Sequence, residues 1–118
     1  AGLVIGIVPC GEAPDVPQEG YPNPFVELPI VTHLPRSGTS GTDPMSRNHI
    51  NVLTANVIIA LPGGAGTSSE VMLARRYRRP IIVFVDARSE IPALPDDVPA
   101  ASTLAEVQDF VRRCLAAA

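Results

Sequence analysis

The run Leu61-Pro62-Gly63-Gly64-Ala65-Gly66-Thr67-Ser68-Ser69-Glu70 holds the strongest candidate chemistry in the chain. It follows a short apolar segment and leads into a stretch with helical character, so it reads as a strand-to-helix turn. The glycines leave backbone N–H groups bare. The helix behind them presents unpaired donors and the positive end of its dipole. Gly63, Gly64, Ala65, Gly66, Thr67 and Ser68 are therefore expected to cradle a phosphate, the last two adding hydroxyl donors. As a dinucleotide fingerprint the run is poor. Ser69 stands where a third glycine or alanine belongs, although Asp86 lies close to the distance of a ribose-binding acid.

Two charged residues could join this loop in chemistry, Glu70 at its end and Arg47 upstream. Glu70 has two readings. Thr67-x-x-Glu70 is a capping box, in which the carboxylate merely closes a helix N-terminus. Alternatively Glu70 faces whatever the glycine loop binds, where it could polarise water or stabilise positive charge on a sugar carbon. Arg47 lies near the start of the preceding helical stretch. A lone helix arginine is usually solvated, but this helix runs back into the strand that delivers the glycine loop. A guanidinium fork there suits phosphate or carboxylate.

Other candidates are weaker. Arg75-Arg76-Tyr77-Arg78-Arg79 looks like a nucleic-acid patch, yet it covers a helix C-terminus, where the dipole favours cations. With a net charge of −3, nucleic acid is not the expected partner. His33 and His49 are isolated, so no metal site is expected. Cys10 ends an apolar run and Cys114 lies on an apolar helical stripe; both read as buried thiols of a reducing cytoplasm. All nine basic residues are arginines. Without lysine the chain supports neither a pyridoxal-phosphate Schiff base nor a G-x-x-x-x-G-K-[ST] loop. No other cofactor is expected.

The elements that must position these residues are short. The chain has 118 residues, 46% of them hydrophobic, which is enough for a single domain with a core. Its mean hydropathy of +0.21 comes from brief runs, none near the roughly 20 residues that span a bilayer. Leu3–Val8, Val57–Leu61 and Ile81–Val85 are unbroken apolar runs, as expected of strands buried on both faces of a parallel sheet. Between Pro9 and Pro44 lie eight of the 13 prolines, so this stretch is mostly loop, with Phe25–Val31 as a short extended piece and Ser37–Thr42 as a mobile connector. Asp43-Pro44 reads as the start of a helix over 44–54. A second helix is expected over 67–79, ended by Pro80. A third is expected over 103–115, with Leu104, Val107, Phe110, Val111, Cys114 and Leu115 on one stripe and Thr103-x-x-Glu106 as a capping box. Alternating strands and helices predict an α/β, Rossmann-like fold: one domain over 1–118, its parallel sheet flanked by helices. Three firm strands are few for such a sheet, whose mean is about 5–6. The chain opens on Ala1 and is already in a strand by residue 3, so it is expected to begin partway into a larger fold, without the usual first strand–helix unit.

Leu61–Glu70 resembles the P-G-G-x-G-T-x-x-E motif of the Lonely Guy family, long misannotated as lysine decarboxylases. The resemblance implies a Rossmann-like homodimer that hydrolyses nucleoside 5′-monophosphates to free base and ribose 5-phosphate. It implies that Glu70 and Arg47 are catalytic and that residues 63–68 bind phosphate. The family's M-H-x-R-K motif falls on Met45-Ser46-Arg47-Asn48; the arginine matches, the methionine is displaced, the histidine is absent and Asn48 replaces lysine. Asn23-Pro24-Phe25-Val26, Arg47-Asn48 and the short tail are similar to a sister group, the molybdenum-cofactor-carrier-like proteins. That resemblance implies binding of a phosphorylated pterin without turnover. Both groups carry a further strand–helix unit upstream. A cytoplasmic homodimer is expected, its two-fold contact burying Met45, Val52, Met72 or Tyr77.

Overall fold

In the computed structural model, which describes residues 2–13 and 16–117, the apolar runs become parallel strands. Ile5–Val8 (β1) pairs with Leu28–Val31 (β2) in register Ile5↔Leu28 to Val8↔Val31. Pro29 is tolerated because β2 is bonded on one side only, where a missing N–H leaves no gap in a second ladder. Ile58–Ala60 (β3), Ile81–Phe84 (β4) and Ala100–Ala101 (β5) form a second parallel sheet with β4 in the middle. β5 carries no strand signal in the sequence, since it is only two alanines; Val83 N–H bonding to Pro99 O and Val85 N–H to Ala101 O, both at 3.0 Å, recruit it.

The helices are Asn48–Thr54 (α1), Ala65–Arg76 (α2) and Leu104–Ala117 (α3). β4 explains the layering. Its alternate residues Ile81 and Val83, with Val85 beyond, join Val52, Val71, Leu73 and Ala74 in one core beneath α1 and α2. Ile82 and Phe84 face the other way, onto Ala101, Val107, Phe110 and Val111 of α3 and its surroundings. A strand covered on both faces must be apolar at every position, which is why IIVF shows no alternation. Thr103 caps α3 as expected, its Oγ1 accepting from Glu106 N–H at 3.3 Å. The α/β Rossmann-like class is thus realised: parallel strands flanked by helices.

Two helix starts differ from expectation. α1 begins at Asn48, not 44. Asp43 Oδ1 accepts from Met45 N–H (2.9 Å) and Ser46 Oγ from Asn48 N–H (3.1 Å), so residues 43–47 spend their first bonds on side-chain turns. α2 begins at Ala65 rather than Thr67, with Gly64 in the cap position. At the other end it stops at Arg76. Arg78 takes a left-handed φ of 55°, and Arg79 N–H reaches back to Ala74 O at 2.9 Å. The arginine cluster is thus spent on the helix end: Arg75 pairs with Asp97 at 3.1 Å and Arg79 donates to Leu53 O at 2.9 Å.

The loop before α1 is pinned at Gly41. A β-carbon there would stand 2.5 Å from Ser69 Cβ and Oγ and 2.7 Å from Asn48 Nδ2. Ser69 cannot retreat, because its hydroxyl proton is shared between Ala65 O at 2.9 Å and Gly38 O at 3.0 Å. Gly41→Ala is expected to destabilise the fold by about 1–3 kcal/mol, as overpacking does. Gly66→Ala, in open space within the first turn of α2, should be neutral or stabilising. Chemical denaturation of the two variants beside wild type checks both.

The two sheets share no ladder among the described residues, so β1 and β3 each keep an open edge. Two clefts run along those edges, one lined by Val4–Val8 and the other by Val57–Ile59. Asn51 and Glu70 line both.

Candidate functional site

Glu70 sits in the second turn of α2, because the helix starts two residues early. That shift removes the capping-box reading: Thr67 is the third helical residue, and α2 has no side-chain cap. The carboxylate instead meets Arg47, whose Nη1 lies 3.5 Å from Glu70 Oε1. Arg47 stands immediately before α1, in the N-cap position. Its side chain is only 13% exposed and that of Glu70 34%. Arg47 Nη1 also donates to Asn48 Oδ1. Asn48 is itself buried, its Nδ2 donating to Gly41 O at 3.5 Å. The Tyr21 ring lies beneath the guanidinium, 5.6 Å from centroid to Cζ. Arg47 is thus held on three sides, and its buried Nε has no partner among the described residues.

These residues line a cleft of about 340 Å³ with Tyr21, Pro22, Asn23 and the length of β1. Burial pushes the Glu70 carboxyl above its ordinary range. The Arg47 guanidinium and hydrogen bonding from Arg47 and Asn51 pull the other way without cancelling that effect. Ionising Glu70 therefore costs folded-state stability. The contribution is fully present below the unfolded value of 4.5 and is lost as pH rises through the raised folded value. The melting temperature of Glu70→Gln relative to wild type should accordingly increase between about pH 4 and pH 8, as thermal scans across that range would show.

The glycine loop lies apart from this cleft. Gly63 N–H is bonded to Glu90 O at 3.3 Å, and Glu90 Oε2 accepts from Asp86 N–H (2.7 Å) and Ala87 N–H (3.1 Å). Thr67 Oγ1 packs directly over Gly63, where a β-carbon would be 2.3 Å away. Ser68 Oγ donates to Pro92 O at 2.6 Å. The Ser68 hydroxyl thus ties the loop to Pro92, while Thr67 Oγ1 makes no hydrogen bond among the described residues. Ser68 N–H is the first of the helix to find its partner, Gly64 O at 3.1 Å. The N–H groups ahead of it in α2 are open in the way of any helix N-terminus. Pro62 borders a separate cleft with Asp86 and Glu90, and Ala65 and Ser68 border another with Thr39 and Thr42.

The structure therefore joins Arg47 to Glu70 and sets Ala65–Ser68 in the turn of α2 before Glu70, with Gly63 and Gly64 just ahead of the helix. Gly66 and Thr67 precede Glu70 by four and three residues, which places them on its face of α2. Sequence reasoning missed Asn51 and Tyr21 as lining residues. Asn51 follows Arg47 by four residues, a spacing that marks one helical face. Tyr21 arrives from an irregular loop and carries no such signal. His49 is structural: Nε2 lies 3.1 Å from Asp43 O and 3.2 Å from Thr42 O, and Nδ1 2.7 Å from the Tyr77 hydroxyl. Val52 is buried inside the chain, while Met45 and Met72 stay 44% exposed. Cys10 and Cys114 are free thiols, the first buried and the second half-buried. Among the described residues no acidic, His and Cys cluster could hold a metal ion, and no helix is long and apolar enough to cross a membrane.

Parallel strands, a glycine turn into a helix and a charged pair lining a cleft define a Rossmann-like α/β protein. The chain matches the sequence model of the SLOG cluster4 family over residues 1–110 and belongs to that family. This places it in the SLOG superfamily, which includes Lonely Guy-like proteins, as a nucleotide-related SLOG-type protein. No curated protein and no solved structure matches it significantly.

Proposed function

We propose that the protein is a nucleoside 5′-monophosphate phosphoribohydrolase that releases free base and ribose 5-phosphate. The observation that carries this reading is the Arg47–Glu70 pair: a half-buried carboxylate raised above its usual range, beside a guanidinium whose buried Nε lacks an acceptor among the described residues. An orphan charged donor of this kind is matched by an anion. In the reaction a water oxygen bonds to the anomeric carbon as the bond from that carbon to the base nitrogen breaks. The base leaves with the electron pair; Glu70 accepts the proton that water gives up and releases it again through solvent to the departing base, which restores the carboxylate. Positive charge on the anomeric carbon is stabilised by the carboxylate. The open N–H groups at the start of α2, one turn of about 5.4 Å from Glu70, serve the 5′-phosphate, and Arg47 assists there. A homodimer with Met45 and Met72 at its contact belongs to the same reading.

The alternative is a carrier that binds a phosphorylated cofactor, such as a molybdopterin, without turnover. Its support is Asn48, which bonds Arg47 where the hydrolase motif has lysine. Incubation with AMP, IMP and GMP, assayed for free base and for bound nucleotide, separates the two. Base release supports the hydrolase. Binding without release supports the carrier, and absence of both overturns the nucleotide reading.

A further inference from the structure

The loop between β1 and β2 brings an asparagine to the cleft with only half of its amide available. Asn23 Oδ1 accepts from Phe25 N–H at 2.9 Å, and Asn23 O accepts from Val26 N–H at 3.2 Å. This turn fixes the side chain by its oxygen. The amide nitrogen bonds to nothing among the described residues, and Asn23 lines the cleft that holds Arg47 and Glu70. Tyr21, two residues earlier, presents an aromatic ring to the same cleft and is 40% exposed. From this arrangement we infer that Tyr21 and Asn23 are the base-reading wall of the site, selecting 6-oxopurine over 6-aminopurine nucleotides. The inference rests on the phosphoribohydrolase reading and deepens it.

The chemistry follows from donor and acceptor count. A free asparagine amide offers one donor group and one acceptor, and so suits the N6 donor and N7 acceptor of adenine. Asn23 has lost its acceptor to Phe25 N–H. What it presents is an NH₂ group with two donors. Hypoxanthine and guanine carry adjacent acceptors, O6 and N7, on that edge, whereas adenine places an amino group against the donors. The Tyr21 ring supplies a flat apolar surface for either base. It adds affinity without choosing between them, and its guanidinium neighbour holds it in place. Discrimination therefore falls on Asn23.

The test is the ratio of kcat/KM for IMP to that for AMP, measured by release of free base, with dissociation constants for both nucleotides beside it. Wild type is expected to favour IMP at least about fivefold, the lower end of what one matched edge contributes. Asn23→Asp keeps one oxygen for Phe25 N–H and turns a second acceptor into the cleft, so the ratio should fall below one. A ratio is insensitive to partial loss of folded protein, which circular dichroism monitors separately. Asn23→Ala should bring the ratio close to one. Wild type that uses both nucleotides equally, or prefers AMP, overturns this inference while leaving the phosphoribohydrolase reading in place. If neither nucleotide is bound or cleaved, that reading falls and takes this one with it.

Discussion

Glu70→Gln is expected to lower the rate of base release by about 100-fold or more, the scale of a lost general base or charge stabiliser. The substitution keeps the shape of the side chain and its place against Arg47 and Asn51. It removes the charge that the proposed reaction sets against the anomeric carbon. Since burial disfavours the ionised carboxyl, losing that charge does not weaken the fold at neutral pH. Activity and stability should therefore separate: kcat collapses while the melting temperature holds or rises. KM should change little, because in the proposed reading the phosphate is held at the start of α2 and by Arg47 rather than by Glu70. In wild type the acid limb of the pH–rate profile should lie above the ordinary carboxylate range, since Glu70 must lose its proton to act as a base. Stopped assays of free base across pH, paired with thermal scans, read all of these. Normal turnover by Glu70→Gln would remove Glu70 from the chemistry and the hydrolase proposal with it.

Arg47→Ala is expected to weaken nucleotide binding roughly ten- to 100-fold, as loss of a charge-assisted contact does. It should also move the acid limb of the rate profile to higher pH. Arg47 is the cation that restrains the upward shift of Glu70, so removing it leaves the carboxylate buried with less opposition. A residue that only shaped the cleft would not shift that limb. Arg47→Lys restores the charge but not the fork, and it has no counterpart to the buried Nε. Binding in Arg47→Lys should accordingly stay closer to the alanine variant than to wild type, while the limb moves part of the way back. Calorimetric titration with nucleotide and the pH–rate profile measure the two effects independently. If Arg47→Ala binds nucleotide as wild type does, the anion is held elsewhere and the pairing is only structural.

What could be read from the sequence was what depends on near neighbours. The apolar runs at residues 3–8, 57–61 and 81–85 predicted strands buried on both faces; β1, β3 and β4 lie within them, but only β4 is so covered, while Ile5 of β1 and Ile59 of β3 stay exposed at the open edges. The glycine turn between β3 and α2, and the Thr103 cap of α3, were legible for the same reason, since their partners lie within a few residues. The tertiary structure decided the rest. Arg47 and Glu70 are 23 positions apart, and nothing periodic spans the turn-rich stretch that delivers Arg47. Whether Glu70 capped a helix or faced a ligand cleft hung on two residues of helix start. That start is set by Gly64 together with the packing of Ser69 against Gly41 and Gly38, not by the local Thr-x-x-Glu pattern. Tyr21 and Asn23 reach the cleft from a loop whose course depends on β1 and β2 pairing in parallel. Local propensity chooses elements, whereas long-range packing chooses which side chains share a cleft.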